Sequence, residues 1–420
     1  MNPRMTGCGL DFGTSNSTLG IAAHEPRLIA LEGESVTLPS AIFYSPEAAP
    51  LVGRAAIRAY VDGANGRLMR GLKSVLGKPL IDETTQVGRG RVGFRSVIAH
   101  FVSVIKRRAE TLADTPIDAV VHGRPVHFVD GDAEGDRKAQ SVLADIAAEA
   151  GFRDISFQYE PIAAALDYER QVTSEEIALI ADIGGGTSDF SIVRIGPDRR
   201  ARADRGADIL ANDGVRIGGT DFDRQLSLGT VMPLLGYKTA MKRAGLPVPS
   251  GYFHDLATWS TINRLYERGI AQQLQDVRRE ARHPERIERL IHVIAERGGH
   301  RLAMEVEGAK IALSDTPRVA AALDWIEAGL SVGIDRAILV SETASLAGAI
   351  AARIEKSLAM AGLSAERIDA VFLTGGSTRL AHVRAAILAA LPAARPVDGD
   401  TFGSVGMGLT IEAARRYGAA

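Results

Sequence analysis

Hydrophobic and polar residues follow one another along this chain in two rhythms. Residues 9–22, GLDFGTSNSTLGIA, carry an apolar run into Asp11, pass through a cluster of Gly, Thr, Ser and Asn, and resume as a second apolar run. This is the pattern of a strand, a tight turn and a strand. A further strand is predicted over LPSAIFY (38–44), and VGRAAIRAY (52–60) begins a helical pattern. RLMRGLKSVLGKP (67–79) reads as a helix ended by Gly77 and Pro79. Val97, Phe101, Val104, Ile105 and Ala109 recur at helix spacing. DAVVHGRPVHFVD (118–130) is β-rich, and AQSVLADIAAEAGF (139–152) predicts a helix closed by Gly151.

The second half repeats the opening. In EPIAAALDYE (160–169), Pro161 occupies a favoured first helical position and leaves Glu160 at the mouth of a helix. EEIALIADIGGGTSDFSIVRIG (175–196) then runs apolar into Asp182, turns on three glycines and resumes as a strand. From about 224 to 327 the texture becomes Arg- and Glu-rich and helical, predicting an insertion with solvated faces. After it come a helix at 346–363, a buried strand entering a turn at 367–378 (RIDAVFLTGGST), an amphipathic helix at 379–391 and a last helix.

Composition narrows the functions. With 420 residues, 46% of them hydrophobic, the chain can build two large cores. Its 49 Lys and Arg balance 51 Asp and Glu without a basic face, so nucleic acid is not an expected partner. No apolar stretch reads as a membrane span, and the one cysteine, Cys8, reads as a small buried hydrophobe in a reducing compartment. A cytoplasmic protein is expected. The nine histidines form no metal-ligand spacing, and DRRARADR (198–205), mixed in sign, reads as a solvated hairpin tip.

The chemistry lies in the repeat. Asp11-Phe12-Gly13-Thr14-Ser15-Asn16 aligns by residue type with Asp182-Ile183-Gly184-(Gly185-Gly186)-Thr187-Ser188-Asp189 when two residues are inserted. Turns of Gly, Thr and Ser offer unobstructed backbone N–H groups to phosphate oxygens. An Asp at the strand end repels phosphate but can hold a hydrated Mg²⁺ that bridges to it. FLTGGSTRL (372–380) adds a third strand, Gly-rich turn and helix start, where an anion or polar sugar is favoured.

GLDFGTSNS, ADIGGGTSDFSIV and FLTGGSTRL resemble the two phosphate loops and the adenosine loop of the actin-like ATPase superfamily. LPSAIFY, LVGRAAIRAY, GLKSVLGK, YEPIAAALDY, RIGGTDFD and VEGAKIALS are similar, in order and spacing, to the DnaK-type (seventy-kilodalton heat-shock) chaperone ATPase domain. Residues 233–267 resemble its YegD-like branch.

The resemblance implies an α/β actin-like fold of two ribonuclease-H-like lobes around a nucleotide cleft. Lobe I would be 1–176 with 400–420, with an insertion at about 38–114. Lobe II would be 177–399, carrying the helical insertion at 224–327. No substrate-binding domain is expected, nor the hydrophobic linker before one. ATP or ADP with Mg²⁺ is the implied cofactor, and slow hydrolysis to ADP and phosphate, driving a chaperone's conformational switch, is the implied activity.

By the same resemblance Gly13, Thr14, Ser15 and Asn16, with Gly184, Gly185, Gly186 and Thr187, bind phosphate. Asp11 and Asp182 position hydrated Mg²⁺. Lys73 meets the γ-phosphate and the attacking water, Asp189 lies near that water, and Glu160 links the site to lobe rotation. Glu307, Lys310 and Ser314, at i, i+3 and i+7, face adenosine with Gly218, Gly219, Gly375, Gly376, Ser377 and Arg379. Where that family often stacks an arginine on adenine, this chain has Ile311, and the family's acidic residue near the C-terminal helix is replaced within TFGSVGMG. Pro125 and Arg137 match the family's relay between hydrolysis and lobe movement.

Unfolded clients or co-chaperones are the partners implied, and a monomer is expected. Two alternatives share the superfamily. A small-molecule kinase of sugar type would need a second polar pocket, and an actin- or MreB-like ATPase would form filaments.

Overall fold

The computed structural model describes residues 6–418 except 24, 88, 89, 130, 131, 170, 171, 201, 203, 244 and 400–402. Asp130, at the end of the β-rich run, and Thr401 and Phe402 of TFGSVGMG therefore lie outside the described residues. The chain divides into two compact units, one of residues 1–214, 353–378 and 388–420, the other of 215–352 and 379–387.

The first unit holds both halves of the sequence repeat as two sheets of the same plan. In one, the strand order is Asp154–Tyr159, Ala119–Arg124, Gly7–Phe12, Asn16–Ile21 and Arg27–Leu28. In the other it is Arg395–Asp398, Ala370–Thr374, Glu176–Ile183, Ser188–Ile195 and Ile209–Val215. Each central strand pairs antiparallel with the strand after its turn and parallel with the strand on its other side. Alternate residues Cys8, Leu10 and Phe12 enter one core with Phe101 and Val120, which is why the opening run is apolar up to Asp11.

Register corrects the alignment made by residue type. Phe12 pairs with Ser17 and Asp11 with Thr18, while Ile183 pairs with Ser188 and Asp182 with Asp189. Both turns therefore span four residues, 13–16 and 184–187, with no insertion between them. Thr187 corresponds to Asn16, and Asp189 to Thr18. The turns also close alike: a Cβ built on Gly13 would meet the Asn16 carbonyl, and one on Gly184 the Thr187 carbonyl.

The helices expected at 52–60, 97–113, 160–169 and 379–391 form as Arg54–Val61, Phe94–Ala113, Glu160–Glu169 and Ala381–Ala390. The 139–152 helix starts earlier, at Ala133, because Asp132 accepts from the amides of Glu134 and Gly135 as an N-cap. Residues 67–79 are not one helix. Arg67–Arg70 is a strand paired with Ala41–Tyr44, and 3₁₀ turns follow at Leu72–Val75 and Pro79–Asp82, parted by left-handed Gly71 and Gly77.

The second unit is largely helical, as the Arg- and Glu-rich texture predicted. The long Arg- and Glu-rich stretch of 274–296 breaks where Pro284 starts a new helix, giving Ile270–Glu280 and Pro284–Ala295. A hairpin of Arg318–Ala322 and Ser331–Asp335 follows. The helix Arg336–Ala361 is long and apolar enough, by length and composition, to cross a membrane, contrary to the reading that no stretch was. Leu339, Thr343, Ala347, Ile350, Ile354 and Leu358 form one buried stripe along it, the spacing of an amphipathic core helix.

Candidate functional site

The two hairpin turns meet. A Cβ added to Gly185 would lie 2.2 Å from Ser15 Oγ, so the backbone of the second turn rests against a side chain of the first. The first turn is fixed from below by Ser40, whose hydroxyl donates to the Gly13 carbonyl (2.6 Å) and whose amide donates to the Ser15 carbonyl (2.9 Å). Gly186 has open space where a Cβ would stand, leaving the crest of the second turn bare for a ligand. Gly375, at the head of the third loop, packs on the same place. With φ +82°, its missing Cβ would fall 2.4 Å from the Ile183 carbonyl and 2.6 Å from Asp182 Oδ1.

Around these turns four carboxylates surround one ammonium. Lys73 stands on the 3₁₀ turn Leu72–Val75, anchored by buried Leu72 and Val75, and its amine is in a tight ion pair with Glu160, the first residue of the helix Glu160–Glu169. Burial opposes the charge on Lys73, but Glu160, Asp11 and Asp189 outweigh it and raise its pKa. Asp11 is pushed up to about 7, first by burial and then by Glu160 and Asp182, with Lys73 pulling the other way. Asp182 is likewise raised to about 7 by burial, Asp189 and Glu160 against the pull of Lys73. Asp189 is exposed and accepts from the Thr187 hydroxyl (3.0 Å).

This donor set fits a hydrated divalent cation with polyphosphate. Asp11 and Asp182 are charged at neutral pH only at a cost, and a cation between them removes that cost. Among the described residues no three His, Cys, Asp or Glu side chains converge as direct metal ligands.

The sign of these shifts gives a first prediction. A carboxylate with a raised folded pKa takes up a proton on folding, so stability falls as pH rises from about 4 towards 7. In the nucleotide-free chain, Asp11→Asn and Asp182→Asn are each expected to raise Tm by about 2–5 °C at pH 8 and by less at pH 5.5. Thermal melts at the two pH values check this, and an equal gain at both would contradict it.

The residues expected at adenosine divide between the units. In the first, Ser377 is buried and Thr378 donates to the Gly375 carbonyl (2.7 Å), shaping the loop that holds Gly375 and Gly376. In the second, Lys310 of the helix Gly299–Asp315 donates to the Gly219 carbonyl (3.0 Å) and pairs with Asp223 (2.8 Å) beside Gly218. Asp223 is raised to about 6 by burial, against Lys310 and together with Glu307. Ser314 is half-buried in the last turn of that helix, where Arg336 donates to its carbonyl, and Arg379 pairs with Asp315 (2.9 Å).

Three residues were not singled out from the sequence. Asp223 follows Gly219 by one helical turn, a spacing that could have been read. His122 is 1% exposed and donates from Nδ1 to the Gly123 carbonyl (2.8 Å). Burial, and to a lesser degree Lys73, holds it down to about 4, against that bond. Arg124 binds the segment that begins at Pro125. It donates to the carbonyls of Pro125 (3.1 Å) and Val126 (3.2 Å), pairs with Asp136 (2.8 Å) and stacks on Tyr159.

Comparison with known proteins shows the family of the chain. A family described as "Hsp70 protein" matches residues 7–228 and 286–414. The chain is 25% identical over 427 residues to the chaperone protein HscA homolog of Shewanella amazonensis, covering 96% of this chain and 57% of that protein. It is 26% identical over 404 residues to the chaperone protein HscA of Serratia proteamaculans, covering 91% and 53%. To the chaperone protein dnaK1 of Prochlorococcus marinus it is 30% identical over 241 residues, covering 52% and 34%. The chain thus spans between about a third and somewhat more than half of the length of these relatives.

Proposed function

The chain belongs to the Hsp70 family, and from that premise we propose that it binds ATP with Mg²⁺ and hydrolyses it slowly as a chaperone's nucleotide-driven switch. The actin-like ATPase fold is that of the family. One observation carries the reading: two equal turns, each led by an Asp, abut through Ser15 and Gly185 and share a lysine and its carboxylates.

The turns 13–16 and 184–187 hold the phosphates. Asp11 and Asp182 hold the hydrated Mg²⁺, which neutralises charge on the phosphoryl oxygens when bound. Glu160 and Asp189 accept hydrogen bonds from the attacking water, and Lys73 offsets charge developing on the γ-phosphoryl oxygens. Lobes of 1–176 with 400–420 and of 177–399 are the bodies whose populations ATP and ADP would shift, since only ATP reaches Lys73. The resemblance of residues 233–267 supports a proposed position near the YegD-like branch, and clients or co-chaperones are its proposed partners.

Calorimetry tests this. ATP is expected to bind tightly in Mg²⁺, and Asp182→Asn to weaken it by about tenfold or more in Mg²⁺ but little in EDTA. A loss of equal size in EDTA would remove Asp182 from metal binding, and release of ADP only on addition of a sugar would favour a kinase.

A further inference from the structure

Of the arginines of 198–205, expected at a solvated tip, Arg202 is exposed, but Arg199, Arg200 and Arg205 turn inward onto partners. Arg205 is 3% exposed, and its guanidinium donates to both oxygens of Glu169, at 3.0 and 2.9 Å, while Nε binds Asp208. The same Glu169 carboxylate accepts from the Gly196 amide (2.9 Å), and Arg200 donates to the Glu169 carbonyl (2.6 Å). Arg199 joins Asp208 to Glu175. Glu169, Arg205 and Asp208 are all buried, so this is an internal charge cluster.

Such a cluster is a poor way to gain stability. Stripping water from two acids and their arginines costs several kcal/mol per ion, and a well-packed apolar group of the same volume often serves as well or better. A carboxylate at a helix C-terminus is also disfavoured by the helix dipole. What the cluster supplies is a fixed position for the last residue of the helix Glu160–Glu169. That helix is about 15 Å long. Its first residue is the partner of Lys73, and Ile162, Ala163, Ala164, Ala165 and Leu166 between the two ends are all buried, so it moves as one body.

We infer that Arg205 is a positioning residue: by clamping Glu169 it fixes the axial placement of this helix and so holds Glu160 against Lys73. The inference rests on the proposed function only for its consequence in hydrolysis; the clamp itself is a property of the nucleotide-free chain.

The test therefore begins without nucleotide, with the rate at which acetic anhydride acetylates the Lys73 amine, read by mass spectrometry on the full chain. Glu169→Gln with Arg205→Met removes both charges of the clamp together and leaves Asp208 its pairing with Arg199. This pair is expected to speed Lys73 acetylation at pH 8 by about five- to tenfold, as an amine does when it loses the partner that raised its pKa. Lys356, on the surface, should react as before. In a Glu160→Gln background, where the partner is already gone, the pair should add nothing, whereas a merely structural loosening would add its own increment. Single-turnover ATP hydrolysis should fall by a similar factor with ATP affinity within about twofold.

Where the double variant fails to fold, Arg205→Lys keeps the charge but not the fork and should give a smaller rise, about two- to threefold. Unchanged Lys73 reactivity in a folded variant, or an increment that persists without Glu160, overturns the inference. If instead Lys73 responds as stated but no variant alters hydrolysis, the clamp stands and the proposed ATPase role of Lys73 and Glu160 falls.

Discussion

Replacing Lys73 with Ala is expected to slow single-turnover ATP hydrolysis by about 10²–10³-fold while changing ADP affinity by less than about tenfold. The asymmetry follows from where the amine stands. Its 12% exposed side chain faces Glu160, Asp11 and Asp189 and contributes the positive charge among the carboxylates that surround it. It is therefore placed to act on charge that develops during transfer. Removing it takes away a positive charge that lowers the pKa values of Asp11 and Asp182, so both rise further. Metal binding then requires a higher pH, and the acid limb of the residual activity should move upward. The check is a single-turnover rate measured across pH with saturating ATP, beside an ADP titration. A variant that lost affinity but turned over bound ATP at the native rate would make Lys73 a structural residue of the 3₁₀ turn.

Much of this site was legible because its logic is local. An Asp closing an apolar run, followed by Gly, Thr and Ser and then another apolar run, can be read twice from hydropathy alone, and the two sheets share one strand order because both halves obey it. The two-residue insertion was an artefact of matching Thr14 to Thr187, since backbone pairing ignores residue type. The helix expected at 67–79 failed for a related reason. Leu68, Leu72, Val75 and Leu76 have helix-like spacing, but Gly71 and Gly77 take left-handed conformations that stop a helix, and the sheet recruits 67–70. Long-range electrostatics left no sequence signal. Arg205 reads as one charge in a solvated run, because its partner Glu169 lies 36 residues earlier and nothing local announces the burial of either. Arg124 was likewise hidden behind Pro125.

Gly408→Ala is expected to cost more than about 3 kcal/mol, and Gly408→Val to prevent folding of the first unit. The helix Ser404–Tyr417 lies backbone against backbone on its neighbours. A Cβ on Gly408 would stand 1.8 Å from the Ala163 carbonyl oxygen, and one on Gly406 would stand 1.9 Å from Thr18 Oγ1. From the facing side, a Cβ on Gly9 would meet the Thr410 amide at 2.2 Å. Neither wall can yield cheaply, because Ala163 belongs to the helix that begins at Glu160 and Gly9 to the strand that ends just past Asp11. The glycines of TFGSVGMG, read from the sequence only as a departure from a relative's acidic residue, thus set how closely two carboxylate-bearing elements approach. Gly308, exposed on the helix Gly299–Asp315 with open space at its Cβ position, is the internal contrast: Gly308→Ala should stabilise by about 0.5–1 kcal/mol. Urea denaturation of the two alanine variants checks the pair. If Gly408→Ala folds, its hydrolysis rate should drop along with its stability, since the displaced backbone carries both Asp11 and Glu160. Lost stability with native turnover would show that the helix can shift without moving either carboxylate.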